Sequence, residues 1–186
     1  MTLPLTRRPF TTTEYHQLIK AGVLTEDDRV ELLNGEIIQM SAIGPRHAAC
    51  VKRLIEFLSL KVRKFAIVAS QDPIQLDDYS EPEPDISLLK RRADFYAEGH
   101  PTPEDILIAI EVADTSLEYD RQIKLPSYAR SGIPEAWLVD LTSDRIEVHA
   151  QPHNRIYQEV RIVQREQKVI SRSIPQLKLK ADDILG

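Results

Sequence analysis

The chain has 186 residues, 42% hydrophobic and 28% charged, with 24 basic against 29 acidic side chains and a formal net charge of −5. That length suits one domain over residues 1–186, with a core over about 10–165, burying roughly 70% of its unfolded surface. Such a composition excludes wholesale disorder and fibrous classes, and the longest apolar run, residues 106–110, is far shorter than the about 20 residues of a membrane span.

From the N-terminus, Arg7 and Arg8 precede no apolar core, so a cytoplasmic protein without a secretory signal is expected. Thr11-Thr12-Thr13-Glu14 has capping-box spacing and opens a helix through about Lys20. Residues 29–33, Asn34-Gly35 and residues 36–40 read as a hairpin, because Asn-Gly accepts the positive φ values of a type I′ turn. Residues 46–65 form the clearest helix: Val51, Leu54, Ile55, Leu58, Val62 and Phe65 share one face, with Arg46, Arg53 and Lys64 opposite. That basic face is either a solvated surface or a set of phosphate contacts, and it carries a local excess of positive charge. His47 falls on the apolar face. Cys50 is the only cysteine, so no internal disulfide forms.

Residues 66–70 and 74–76 read as strands around Pro73, and 85–89 as another. The run 106–112 suits a strand buried on both faces. A helix over about 119–130 is closed by Gly132; residues 135–139 and 145–149 are strands around a turn at 142–144, and 155–163 pairs with the last. This order predicts an α/β fold on a mixed β-sheet flanked by helices, with additional β-hairpins.

Phosphate-loop, dinucleotide, nucleophile-elbow and zinc-protease motifs are missing. His149 and His153 are four apart, but Pro152 lies between them in strand-like sequence, which argues against a metal pair on a helix. The informative residue is Glu111, a carboxylate ending an apolar run. Buried, it must be paired, protonated or bound to a cation. Asp85 begins the preceding apolar strand. If the two strands pair antiparallel, Asp85 and Glu111 lie side by side, and a cation or proton between them relieves their repulsion. One or two carboxylates are a common magnesium set. Thr115 and Ser116 are positioned to cap the next helix, Thr115 and Glu118 having capping-box spacing. Asp120 and Lys124 are i,i+4 neighbours there, either as a surface ion pair or with Lys124 folded back onto the carboxylates.

Pro84-Asp85 followed by Glu111 at the end of a hydrophobic strand resembles the signature of the PD-(D/E)XK nuclease superfamily, the restriction-endonuclease-like fold. Glu111-Val112-Ala113-Asp114-Thr115-Ser116, Asp120, Lys124 and the run from Gly132-Ile133-Pro134-Glu135 to Asp140 resemble a large bacterial group of restriction-endonuclease-like proteins of unassigned function. Glu31-Leu32-Leu33-Asn34-Gly35-Glu36-Ile37 and His47 match that group too. The resemblance implies that Asp85 and Glu111 hold Mg²⁺, with Mn²⁺ as substitute, and that Glu31 and His47 complete the site. The superfamily lysine belongs two residues after the glutamate, where this chain has Ala113. In the resembling group it has moved to the following helix, which makes Lys124 the equivalent, while Pro126 kinks that helix and Asp114 stands where the group has serine. The implied reaction is phosphodiester hydrolysis of DNA, with Arg46, Arg53 and Lys64 as nucleic-acid contacts and a homodimer for cutting both strands. The alternative is a nuclease-fold module that binds or scaffolds without turnover.

Overall fold

The computed structural model describes residues 7–186. α1 (Thr12–Lys20) starts in the expected capping box, the Thr11 hydroxyl accepting the Glu14 N–H and the Glu14 carboxylate accepting the Thr11 N–H. β1 (Val30–Leu33) and β2 (Glu36–Gln39) form the expected hairpin. Its turn residues Asn34 and Gly35 have φ of 53° and 77°. Gly35 is required for space as well, since a Cβ there would lie 2.3 Å from the Pro9 Cβ.

α2 (Pro45–Val62) buries Cys50, Val51, Leu54, Leu58 and Val62. It ends three residues earlier than expected, where the Phe65 N–H turns back to the Val62 carbonyl. Six strands follow in one sheet: β3 (Ala66–Ala69), β4 (Ile86–Lys90), β5 (Ile106–Ala113), β6 (Glu135–Asp140), β7 (Arg145–His153) and β8 (Ile156–Gln164), adjacent in chain order. Every neighbouring pair is antiparallel except β5 and β6, which are parallel. A parallel pair needs a crossover, and α3 (Leu117–Tyr119), a π turn at Asp120–Lys124 and α4 (Leu125–Ser131) supply it. Gly132, with φ of 84°, closes α4 as expected.

The sheet is sandwiched. One face packs Ile86, Leu88, Ile108, Ile110 and Trp137 against α2. The other packs Ala109, Ala113, Ala136 and Leu138 against Leu125, Tyr128 and Ile133 of the crossover. Apolar packing continues past residue 165: β9 (Lys168–Ile170), β10 (Lys178–Lys180) and α5 (Ala181–Leu185) place Val169, Leu179, Ile184 and Leu185 in the α2-side cluster. No helix among the described residues is long and apolar enough to cross a membrane.

Three local expectations are corrected. Ile74 and Leu76 are buried but residues 74–76 are not a strand; the Ile74 N–H reaches the Pro82 carbonyl and the Leu76 N–H that of Ser80. Pro73, Pro82 and Pro84 remove the donors a ladder would need. Thr115 and Ser116 do not cap the crossover helix through their side chains, and the Ser116 hydroxyl is donated to Asp120 instead. Pro126 produces a π turn rather than a simple kink. It has no N–H and its ring would crowd the Gln122 carbonyl, so the ladder widens there, with the Leu125 N–H reaching the Asp120 carbonyl.

Candidate metal and nuclease site

The register of β4 and β5 puts Ile86 opposite Ile110, which places Asp85 beside Glu111 as expected from antiparallel pairing. Asp85 is fixed at both oxygens: Oδ2 accepts the Val112 N–H at 2.8 Å and Oδ1 lies 3.0 Å from His47 Nε2. Glu111 projects to the crossover face and is 3% exposed. Lys124 reaches it from the π turn, Nζ lying 2.9 Å from Glu111 Oε1, 3.2 Å from Glu31 Oε2 and 3.1 Å from the Glu83 carbonyl. Lys124 is therefore folded back onto the carboxylates, not paired on the surface with Asp120; both residues are buried.

Glu31, from β1, accepts the Tyr119 hydroxyl at 3.0 Å and the Glu83 N–H at 3.0 Å in addition to the lysine. The Tyr128 hydroxyl is donated to Glu111. Glu31, Glu83, Asp85, Glu111, Tyr119 and Lys124 border a cavity of about 890 Å³ with Arg29, Asp114 and the start of α2. Tyr119, Tyr128 and the burial of Asp120 were not foreseen. Tyr128 follows Lys124 by four residues on one helix, a spacing that is readable once the lysine is known to point inward.

The electrostatics of the cluster is that of too many carboxylates in too little water. Burial pushes Glu111 well above the usual carboxylate range, and Asp120, Asp85 and Glu31 add to the rise while Lys124 opposes it. Asp120 is raised to about 6, mainly by burial, against the pull of Lys124 and the Ser116 hydroxyl. Glu83 is raised by burial and by Glu31. Burial works against the charged lysine, but Glu111, Tyr128 and Glu31 hold Lys124 protonated well above its ordinary value. The hydrogen bond that His47 donates to Asp85 raises the histidine despite its burial. A further cation in the cavity would relieve the same excess of negative charge.

The nucleic-acid contacts expected along α2 are not gathered at the cavity. Arg53 donates to the Ile184 and Leu185 carbonyls and so ties down α5. Arg46 donates to the Leu141 carbonyl and lies 4.0 Å from Asp114, which lines the cavity. Lys64 is exposed beyond the other end of α2, a helix length of roughly 27 Å away. His149 accompanies Glu147, at 3.2 Å, and Tyr157; it forms no metal group with His153.

The fold and site define a sheet-and-crossover protein with carboxylates and a lysine at the end of its parallel strand pair. A crystal structure described as "a putative nuclease belonging to DUF820 from Anabaena variabilis" shares this fold, with a TM-score of 0.73 at 18% identity over 95% of this chain and 98% of that one. Residues 12–182 match the Uma2 family, described as "Putative restriction endonuclease", and the chain belongs to that family. No curated protein matches it significantly.

Proposed function

We propose that the protein is a metal-dependent endonuclease that hydrolyses phosphodiester bonds of DNA through Asp85, Glu111 and Lys124. The observation that carries this reading is the single constellation of Lys124 against Glu111, with Asp85 in register beside it. Asp85 and Glu111 are the residues that would hold Mg²⁺ or Mn²⁺; two adjacent carboxylates, with Glu111 buried among further acids, fit a hard cation. Bound there, the ion would supply Lewis-acid polarisation of a phosphoryl oxygen and a water of lowered pKa.

The chain's own residues supply the rest. Lys124 is the group to orient the attacking water or to offset negative charge gathering on the phosphoryl oxygens. Glu31 and the Glu83 carbonyl fix the ammonium, so Glu31 acts here as a positioning residue. His47 holds Asp85 by one oxygen and leaves the backbone of Val112 to hold the other. The first turn of α2, whose N-cap Gly44 offers no side-chain cap, opens onto the same cavity and is suited to a phosphate. Arg46 at the rim is the nearest expected phosphate contact. Cutting both strands calls for two sites, so the reading carries a homodimer with it, in a cytoplasmic protein.

Calorimetric titration of Mg²⁺ and Mn²⁺ tests the site, followed by incubation with supercoiled plasmid. Saturable binding lost in Asp85→Asn and Glu111→Ala, with nicking that disappears in the same variants, is the expected result. A well-folded wild type that binds neither ion, with or without an oligonucleotide present, moves the assignment to a non-catalytic nuclease-fold module.

A further inference from the structure

The segment Glu81-Pro82-Glu83-Pro84-Asp85 alternates acids with prolines. Asp85 lines the cavity described above and Glu83 borders both it and a neighbouring recess of about 340 Å³, whereas Glu81 lines only that recess, together with His16, His100 and Lys20. His16 projects from the middle of α1, and His100 stands before Pro101 in the connection to β5. His16 Nε2 lies 2.8 Å from Glu81 Oε1. One ring nitrogen of each histidine and one carboxylate oxygen of Glu81 all fall within 4.8 Å of one another, and no other group of three or more His, Cys, Asp or Glu among the described residues is that compact.

A second observation points to a missing ligand. Glu81 is 3% exposed, and its Oε2 is buried with no hydrogen-bond partner. An unpartnered carboxylate oxygen out of water carries a desolvation cost with nothing to offset it, and His16 answers only the other oxygen. Both histidines are exposed, so an ion can arrive from solvent and meet the buried carboxylate behind them. The three segments that present the ligands are already tied together: the Thr12 N–H reaches the Asp78 carbonyl and the Gln75 N–H the Pro101 carbonyl, at 2.8 and 2.9 Å. The site is therefore largely pre-organised, and closing it onto one ion needs only small rotations of two surface rings.

We infer that His16, Glu81 and His100 form a binding site for a divalent transition-metal ion of the zinc class, separate from the Asp85–Glu111 carboxylates. Two imidazoles and a carboxylate are a borderline donor set, matched to zinc rather than to the all-oxygen shell of magnesium. Three protein ligands leave a fourth position for water. Lys20 is the one cation among the recess-lining residues; it repels an incoming ion only weakly, as a lysine at a helix end in solvent does.

The test is titration of Zn²⁺ into untagged full-length protein, with Co²⁺ as a spectroscopic stand-in whose visible absorption reports nitrogen and oxygen coordination. One equivalent is expected to bind and to raise the melting temperature. Affinity should fall in His100→Ala by more than the roughly 10–100-fold that losing a partner behind a ligand costs, and equally in His16→Ala, while Asp85→Asn binds as wild type. Because His100 is exposed, its variant folds even if Glu81→Gln does not. No saturable Zn²⁺ binding by the wild type, or binding that survives His100→Ala and disappears in Asp85→Asn, overturns the assignment. Absence of Zn²⁺ binding leaves Mg²⁺ at Asp85 and Glu111 untouched, since that ion is titrated separately, whereas loss in Asp85→Asn would move the Zn²⁺ to those carboxylates.

Discussion

Two glutamates are buried on neighbouring parallel strands, Glu111 near the end of β5 and Glu135 at the start of β6, at 3% and 0% exposure. Glu135 is answered entirely by neutral donors. Its Oε2 accepts the Ser171 hydroxyl and the Arg172 and Ser173 N–H groups at 2.7–2.9 Å, and its Oε1 accepts the Trp137 indole N–H. Those bonds pin the loop between β9 and β10 onto the sheet. Glu111 has a tyrosine, a lysine and a crowd of other carboxylates, and burial keeps its proton affinity high. Burial of a carboxylate alone therefore does not mark a functional site. What distinguishes the two is whether neutral donors fill the carboxylate's hydrogen-bonding positions, as at Glu135, or further carboxylates crowd it, as at Glu111.

Breaking each arrangement should separate them. Lys124→Met removes the one cation that pairs with Glu111 and Glu31 among the described residues and should cost about 3–5 kcal/mol at neutral pH, read by urea unfolding. The loss should shrink in acid, where the carboxylates take up protons in the lysine's place. Glu135→Gln sets an amide NH₂ against either the indole N–H or the loop donors, and roughly 1–3 kcal/mol of stability should go, with Mg²⁺ binding intact. Asp120→Asn should show the opposite sign in the absence of divalent ions. Because folding raises Asp120 to about 6, its stabilising proton is fully present below its unfolded value near 4 and is lost as pH rises through about 6. The variant should thus be more stable than wild type at pH 7 and equal to it below about pH 4. The smallest effect on stability, under about 1 kcal/mol, belongs to Glu111→Gln, where relief of repulsion from Asp85, Asp120 and Glu31 offsets the weakened contact with Lys124; calorimetry should nonetheless find Mg²⁺ binding abolished.

Much of this was readable from the chain. The capping box at Thr11, the Asn34-Gly35 turn, the amphipathic helix and the side-by-side placement of Asp85 and Glu111 depend on short-range rules or on one strand pairing, and those rules hold. Residues 74–76 misled because apolar alternation carries no record of which backbone donors find partners. The basic face of α2 was legible only as a pattern of charge: Arg53 answers the carbonyls of α5, more than 130 positions away in sequence, and periodicity on one helix cannot show what docks against it. Tyr119 and the His16–Glu81–His100 group come from segments brought together only by the tertiary fold.

The widened turn at Asp120–Lys124 has a consequence for angular phase. Tyr119 binds Glu31 and Tyr128 binds Glu111, nine positions apart. In an uninterrupted α-helix each position advances about 100°, so nine put two side chains on opposite sides. A π turn absorbs one extra residue, which leaves eight effective steps and brings the tyrosines within about 80° of each other. Pro126, which forces the wide turn, thereby sets the rotational setting of half the crossover helix while touching none of the charged groups itself. What the chain specifies for its lysine is an arrival point rather than an address: the side chain can be carried to the glutamate from a different stretch of backbone, provided the helix that brings it is wound to the right angle.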